Sequence, residues 1–172
     1  YRVFSRNMRV LGTPVFDKAL LYNIMAEFGD RTRVLIVRQE ERTIGGMFVM
    51  RTQDVIHNRW VSSVRDYFDL CPNDRLYWEA LRWGCEQGFG RFDFGRSQWG
   101  SGTFRFKRKW GAVPQPLTYQ YYLRQGEEIP DPTVQLEKDA RYRVARWIWQ
   151  RLPVAVTRVI GPPIVKTMNP LG

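Results

Sequence analysis

The sequence is poor in the residues that most often do metal or covalent chemistry. Its 172 residues include one histidine and two cysteines. A single histidine, His57, excludes a multi-histidine zinc site and leaves one candidate for a Ser-His-Asp triad. It sits in an alternating, strand-like stretch and reads as an exposed structural residue. Cys71 and Cys85 lie on either side of a predicted helix start, without metal-ligand spacing. No disulfide framework is expected, and a cytoplasmic, reducing setting fits. No apolar run reaches about 18 residues, which excludes a conventional membrane-spanning helix. No signal-peptide pattern opens the chain. It begins at Tyr1 and reads as a piece of a longer polypeptide. Internal repeats and low-complexity tracts are missing too.

What is plentiful is apolar and basic. Hydrophobic residues make up 44% and aromatics 15%, enough for one domain with a sizeable core. The formal net charge is +10. That balance attracts polyanions: RNA, nucleotide-linked substrates or an anionic membrane surface.

Along the chain, residues 1–11 read as the end of a helix stopped by Gly12. Asp17 starts a second helix with Leu20, Leu21, Ile24 and Phe28 at helical spacing. Three strands follow, TRVLIVRQ, TIGGMFVMRT and VIHNRWVSSV, forming an antiparallel meander. The Gly45-Gly46 pair marks a bulge or a close backbone approach. Pro72 opens a helix that Gly88 ends. RFDFG is a short strand, and a helix is predicted from about Ser101 to Trp110. LTYQYYL alternates like a further strand. VQLEKDARYRVARWIWQRL reads as a last amphipathic helix, docked on the body or facing RNA or a membrane surface. Residues 153–172 are expected to be an irregular tail. This order predicts an α+β, layered α/β fold: a mixed, mostly antiparallel sheet flanked by helices.

The stretch FDFGRSQWGSGTFRFKRKWGA joins alternating aromatics, two glycines and a dense run of basic and aromatic residues. With RNMRVLGTPVF near the start, YWEALRWGCEQGFGRFDFGRS in the middle and PLTYQYYL after it, the sequence resembles the FemAB-like family. These are transferases of GNAT (N-acyltransferase) fold, and the likeness is to the exosortase/PEP-CTERM-associated branch. The resemblance covers nearly the whole chain. It implies one GNAT-like domain over residues 1–172, the C-terminal half of a two-domain protein lacking its N-terminal partner. It also implies transfer of an acyl or aminoacyl group to an amine on a cell-envelope acceptor, a peptidoglycan precursor or exopolysaccharide. No cofactor is expected to be tightly bound, and the donor is aminoacyl-tRNA or acyl-CoA. The partners implied are an anionic, nucleotide-linked or glycan substrate and tRNA, at the cytoplasmic face of the membrane.

Ordinary GNAT enzymes hold the coenzyme A pyrophosphate on a glycine-rich loop opening a helix. The corresponding segment here, RDYFDLCPNDRLYWEA, has no glycine and carries Pro72 and two acids near the phosphate position. This departure argues against conventional coenzyme A binding, and FemAB-like proteins share it. A coenzyme A-dependent N-acetyltransferase stays open as an alternative. So does a non-catalytic half that binds RNA or a partner domain.

Aminoacyl transfer from an activated ester requires positioning, oxyanion stabilisation and the handling of one proton, with no obligatory nucleophile or metal. On the helix near 101–110, Thr103, Phe106 and Trp110 form one stripe, and Arg105, Arg108 and Lys109 lie opposite. Lys107 stands apart from that basic face. It is the candidate for binding phosphate or an oxyanion, against a snorkelling lysine over core aromatics. Arg96 is a candidate carboxylate or phosphate clamp, against an ion pair with Asp93 or Asp69. Ser97 is read as a hydrogen-bonding or capping residue. Arg6 and Asn7 are candidate substrate contacts, as is Tyr67. Asp66 is the candidate acceptor of the amine proton.

Overall fold

The computed structural model describes residues 1–124 and 140–168. It resolves into two compact units: Tyr1–Gly95 with Arg146–Gly172, and Arg96–Ala145.

In the larger unit, α1 (Arg2–Leu11) stops at Gly12, whose left-handed backbone returns amides to Arg9 and Met8. Asp17 caps α2 (Lys18–Phe28) by accepting the Ala19 amide at 2.9 Å. The three expected strands form β1 (Thr32–Gln39), β2 (Arg42–Thr52) and β3 (Val55–Ser63) as an antiparallel meander. A 3-10 turn over Arg65–Leu70 leads to α3 (Pro72–Glu86), with Pro72 in its first turn, where the missing N–H costs nothing. β4 (Arg91–Asp93) then pairs parallel with the start of β3, giving the order β1-β2-β3-β4. The sheet is therefore mixed and mostly antiparallel, as the sequence predicts.

Two irregularities shape it. The β1–β2 register slips at Ile44, beside the glycine pair, because Val37 faces Gly45 while Arg38 faces Thr43. A second slip leaves Arg59 as an extra residue, because Phe48 faces Trp60 while Val49 faces Asn58. β4 follows β3 only through Val55, Ile56 and His57. Beyond the second bulge β3 runs on to Ser63 without β4 beside it.

The sheet carries helices on both faces. A side chain at Gly45 would meet Leu76 and Pro72 of α3, so that face of β2 belongs to α3. Phe48, three residues on, points the other way. It meets Trp60 edge-on at 5.5 Å, and Trp60 in turn touches Phe4 of α1 and Phe16. The core between α3 and the sheet is built on Met47, Val49, Ile56, Leu76 and Ala80, all buried.

The C-terminal region differs from expectation. α5 (Ala140–Arg151) covers the later part of the predicted last helix, whose beginning lies outside the described residues. The segment read as an irregular tail forms α6 (Val154–Met168), with Pro162 and Pro163 inside it. α6 is held on the body where Gly161 meets the backbone of Val15: an added Cβ would lie 3.0 Å from Val15 N and O. Gly161→Ala should therefore lower stability by about 1–2 kcal/mol despite the better helix propensity of alanine, because backbone atoms cannot step aside. Chemical denaturation measures the sign, and an unchanged or raised midpoint would contradict this packing.

In the smaller unit, α4 (Gly102–Lys109) falls where expected. Residues 111–124 form no strand, so the alternation of LTYQYYL is not realised as sheet. Tyr119, Tyr121 and Tyr122 are exposed.

Candidate functional site

The N-terminal and post-β3 candidates come together although about sixty residues separate them in sequence. Arg6 donates to Asp66 at 2.6 Å, and Asn7 donates through its amide to the Ser62 hydroxyl at 3.1 Å. α1 supplies the first member of each pair, and the end of β3 with its following turn supplies the second. Asp66 is 66% exposed, so it is a wet carboxylate shared with a guanidinium, and an incoming ammonium must compete with Arg6 for it. Tyr67 sits apart from this pairing, its hydroxyl accepting from Arg42 at 3.3 Å.

Beside this cluster lies a cavity of about 400 Å³ between the sheet and helices α1 and α2. Phe4, Met25, Ile36, Phe48 and Trp60 supply its apolar walls, and Gly45 and Gly46 leave room at the β2 side. Ser62 lines one end and is the residue that Asn7 holds, so the cavity and the polar cluster share a boundary. Arg2 and Lys18 also line it, Lys18 lying 5.0 Å over the Tyr22 ring, and no acidic side chain does. The volume is in the range of small-molecule sites, roughly 300–1,000 Å³. Sequence reasoning did not anticipate this cavity. Its one local signal was the glycine pair in an otherwise apolar strand.

The remaining candidates belong to the smaller unit. Lys107 is buried and donates to the Arg96 carbonyl at 2.8 Å. Its separation from the basic face is as expected, since Arg105, Arg108 and Lys109 are all exposed. Arg105 donates to the Gly100 carbonyl at 2.7 Å, and Arg108 to that of Ala112 at 3.3 Å. Arg96 and Ser97 have exposed side chains. The helix cap is Ser101 rather than Ser97: its hydroxyl accepts the Phe104 amide at 3.1 Å. The suggested partner of Arg96, Asp93, instead takes the His57 ring at 3.1 Å and the Gly95 amide at 2.7 Å.

His57 stands between two groups. Its Nε2 lies 2.7 Å from the Thr52 hydroxyl and its Nδ1 3.1 Å from Asp93. The chain ties the ends of β2, β3 and β4, and none of its three residues lines the cavity. The role is structural, as expected, but the side chain is half-buried rather than exposed, with a partner on each side. Nearby, Asn58 donates to the Tyr77 phenol at 2.7 Å, and burial pushes that phenol up to about 12, so it stays protonated at neutral pH.

The start of α3 is a poor anion cradle. Its N-cap, Cys71, has a left-handed backbone and caps nothing with its side chain. Pro72 removes one amide, and Asp74 sits in the first turn. Asn73 is engaged by Ser63, whose hydroxyl donates to it at 2.8 Å.

Comparison with known proteins places this geometry. Residues 1–108 match the family model described as an acetyltransferase (GNAT) domain. By sequence, no curated protein matches the chain. Among solved structures, it is similar to an aminoglycoside acetyltransferase from an uncultured soil metagenomic sample, in complex with sisomicin. The TM-score is 0.55 at 14% identity, covering 72% of this chain and 85% of that one. It is similar to AAC(6')-Iy in complex with the bisubstrate analogue CoA-S-monomethyl-acetylneamine, at TM-score 0.56 and 14% identity, covering 69% and 88%. A Trypanosoma brucei acetyltransferase aligns at TM-score 0.50 and 16% identity, covering 71% and 94%. These likenesses establish the GNAT fold.

Proposed function

The chain belongs to the acetyltransferase (GNAT) family, and from that premise we propose that it is an N-acyltransferase of FemAB type. It passes an acyl or aminoacyl group from an activated ester to an amine on a cell-envelope acceptor. The amine nitrogen attacks the carbonyl carbon, a C–N bond forms, and the bond to the leaving oxygen breaks. The nitrogen gives up one proton and the leaving oxygen gains one, so the protein's task is to position, stabilise the oxyanion and move that proton. The observation that carries this reading is the apolar cavity ending at Ser62 beside the Asn7 and Arg6–Asp66 pairs. It suits an acceptor with an apolar body and a reactive amine at the polar end. Asp66 is the proton acceptor in this scheme; Lys107, which belongs to the smaller unit, stands as a separate candidate for steadying an oxyanion. Arg2 and Lys18 favour an acceptor that also carries a negative group, such as a phosphate or carboxylate of a nucleotide-linked or glycan precursor.

The start of α3 supports a donor other than coenzyme A, because Pro72 and Asp74 stand where a pyrophosphate would need amides and positive charge. Aminoacyl-tRNA meets that description and matches the net charge of +10. A second reading, a coenzyme A-dependent enzyme, is favoured by the fold likeness to AAC(6')-Iy, which was solved with a coenzyme A bisubstrate analogue.

Calorimetry at physiological salt separates the two. Charged tRNA is expected to bind at least tenfold more tightly than deacylated tRNA, with acetyl-CoA giving no saturable heat. Saturable acyl-CoA binding would establish the second reading. Binding of neither would remove both donors and leave the acyl-transfer assignment unsupported.

A further inference from the structure

We propose that Ser62 selects what the cavity holds: with Asn7 fixing its oxygen, it gives its hydroxyl proton to a carbonyl oxygen on the bound molecule. The inference rests on the proposed transfer only in taking this cavity as a substrate site, and it names a group that the substrate must carry.

The two serines that end β3 point to opposite faces of the sheet, as alternation requires. Both are buried. Ser63 faces α3, and its hydroxyl donates to Asn73 at 2.8 Å, so its proton is taken inside the protein. Ser62 faces the other way, lines the cavity and is only 5% exposed. Its oxygen accepts the Asn7 side-chain amide at 3.1 Å. A hydroxyl has one proton and two lone pairs. Asn7 occupies a lone pair, which orients the group and leaves the proton to point elsewhere. Among the described residues, no acceptor takes that proton.

The opposite strand leaves room for it. In the β2–β3 ladder Ser62 pairs with Gly46, which has no side chain to cover it. The next pair on this face is Phe48 with Trp60, whose rings meet edge-on at 5.5 Å. The hydroxyl therefore stands beside an apolar wall, in the gap that the glycine opens.

That setting fixes the chemistry of the partner. Water takes the proton while no ligand is bound. A ligand that expels this water must replace the bond or leave a buried donor unpaired. A ketone, ester or amide oxygen attached to an apolar body meets the requirement. A molecule of the same shape without that oxygen does not. Nor is the group the amine being acylated. An ammonium has no lone pair to offer, and a neutral amine that accepted here could not attack with it. Asn7 is a positioning residue in this scheme, acting through Ser62.

The test uses two probes of one shape, acetophenone and 2-phenylpropene, in which a methylene replaces the carbonyl oxygen. Binding to the full chain is followed through the methyl resonances of Met25 and Met47, which line the cavity. Neither a donor nor turnover is needed. Both probes are expected to bind the wild type, and Gly46→Phe, which fills the cavity, should exclude both. The reading is the ratio of their dissociation constants. Ser62→Ala should shift it about tenfold against acetophenone, the scale of one hydrogen bond. Asn7→Asp should shift it the same way, because a carboxylate accepts the serine proton and turns it from the cavity. Ser62→Thr keeps the hydroxyl and should keep the wild-type ratio. An unchanged ratio in Ser62→Ala would overturn the proposal. So would binding of neither probe to the wild type, even if the chain proves to transfer acyl groups. The predicted shifts in a chain that binds no acyl donor would support the role of Ser62 and count against the transfer alone.

Discussion

Gly46→Phe is expected to lower kcat/KM for the acceptor amine by at least 100-fold while leaving the protein folded and its donor binding intact. Gly46 lies on β2 opposite Ile36 of β1 and Ser62 of β3, and it lines the cavity. It shares a face with Phe48 and Trp60, away from α3. A Cβ built there meets only the Leu35 carbonyl, at 3.7 Å, an ordinary contact. The ring then has nowhere to go but into the space of about 400 Å³ that an acceptor needs. A single methylene in such a pocket already changes discrimination by roughly 10–200-fold, so a benzyl group should do more. Stability should hold or rise by about 0.5–1 kcal/mol, because a strand-interior glycine is replaced by a residue with less freedom to lose. The comparison is decisive in this form because loss of activity through unfolding would also lower the melting temperature. Full activity in a folded Gly46→Phe protein would mean that the acceptor binds elsewhere.

The neighbouring glycine behaves differently, which sharpens the test. At Gly45 an added Cβ would lie 3.1 Å from Ser63 Oγ and 3.2 Å from Leu76 Cδ1, against the α3 face. Gly45→Ala should therefore destabilise by about 1 kcal/mol through overpacking without filling the cavity. Urea unfolding and acceptor kinetics should separate the two: Gly46→Phe loses turnover and keeps its stability, and Gly45→Ala loses stability and keeps its turnover.

The meander, α3 and β4 were legible because each is announced locally. Alternation marked the strands, Asp17 and Pro72 the helix starts, and Gly12 a stop. The glycine pair was legible as a bulge or a close approach. It proved to be next to the bulge at Ile44 and also the gap that opens the cavity. What failed needed information from elsewhere in the chain. LTYQYYL alternates, but alternation states only that one face differs from the other. A strand also needs a neighbour to take its hydrogen bonds, and residues 117–123 pair with none among those described. Pro162 and Pro163 read as breakers, since each removes an amide and crowds the preceding turn. The helix continues through both, with Gly161 seated against Val15, although the prolines leave the carbonyls of Arg158 and Val159 without their helical amide donors. The Arg6–Asp66 pair joins positions whose meeting depends on α1 crossing the end of β3. Arg6 lies in a stretch that carries the family resemblance and Asp66 was a candidate only as an acid after the third strand, and no local pattern in the sequence pairs them.

Lys107→Met is expected to lower kcat by about 100-fold, the scale for loss of one oxyanion-stabilising donor, with KM for the amine changed little. Methionine keeps the length and apolar stem of the side chain and removes the ammonium, with its charge and its donors. Two effects then separate. The Arg96 carbonyl loses the donor now 2.8 Å away, which should cost about 1–3 kcal/mol of stability in a buried setting. That alone would be a positioning role, and it would act by loosening the turn from Arg96 to Ser101 that leads into α4. A part in charge stabilisation predicts something further: Lys107→Arg should restore stability more fully than it restores turnover. Arginine can still donate to a carbonyl, but its planar fork does not reproduce a compact ammonium. Denaturation curves and single-turnover rates on the two variants measure both quantities. If Lys107→Met loses stability yet turns over like the wild type, the lysine holds Arg96 in place and does no chemistry.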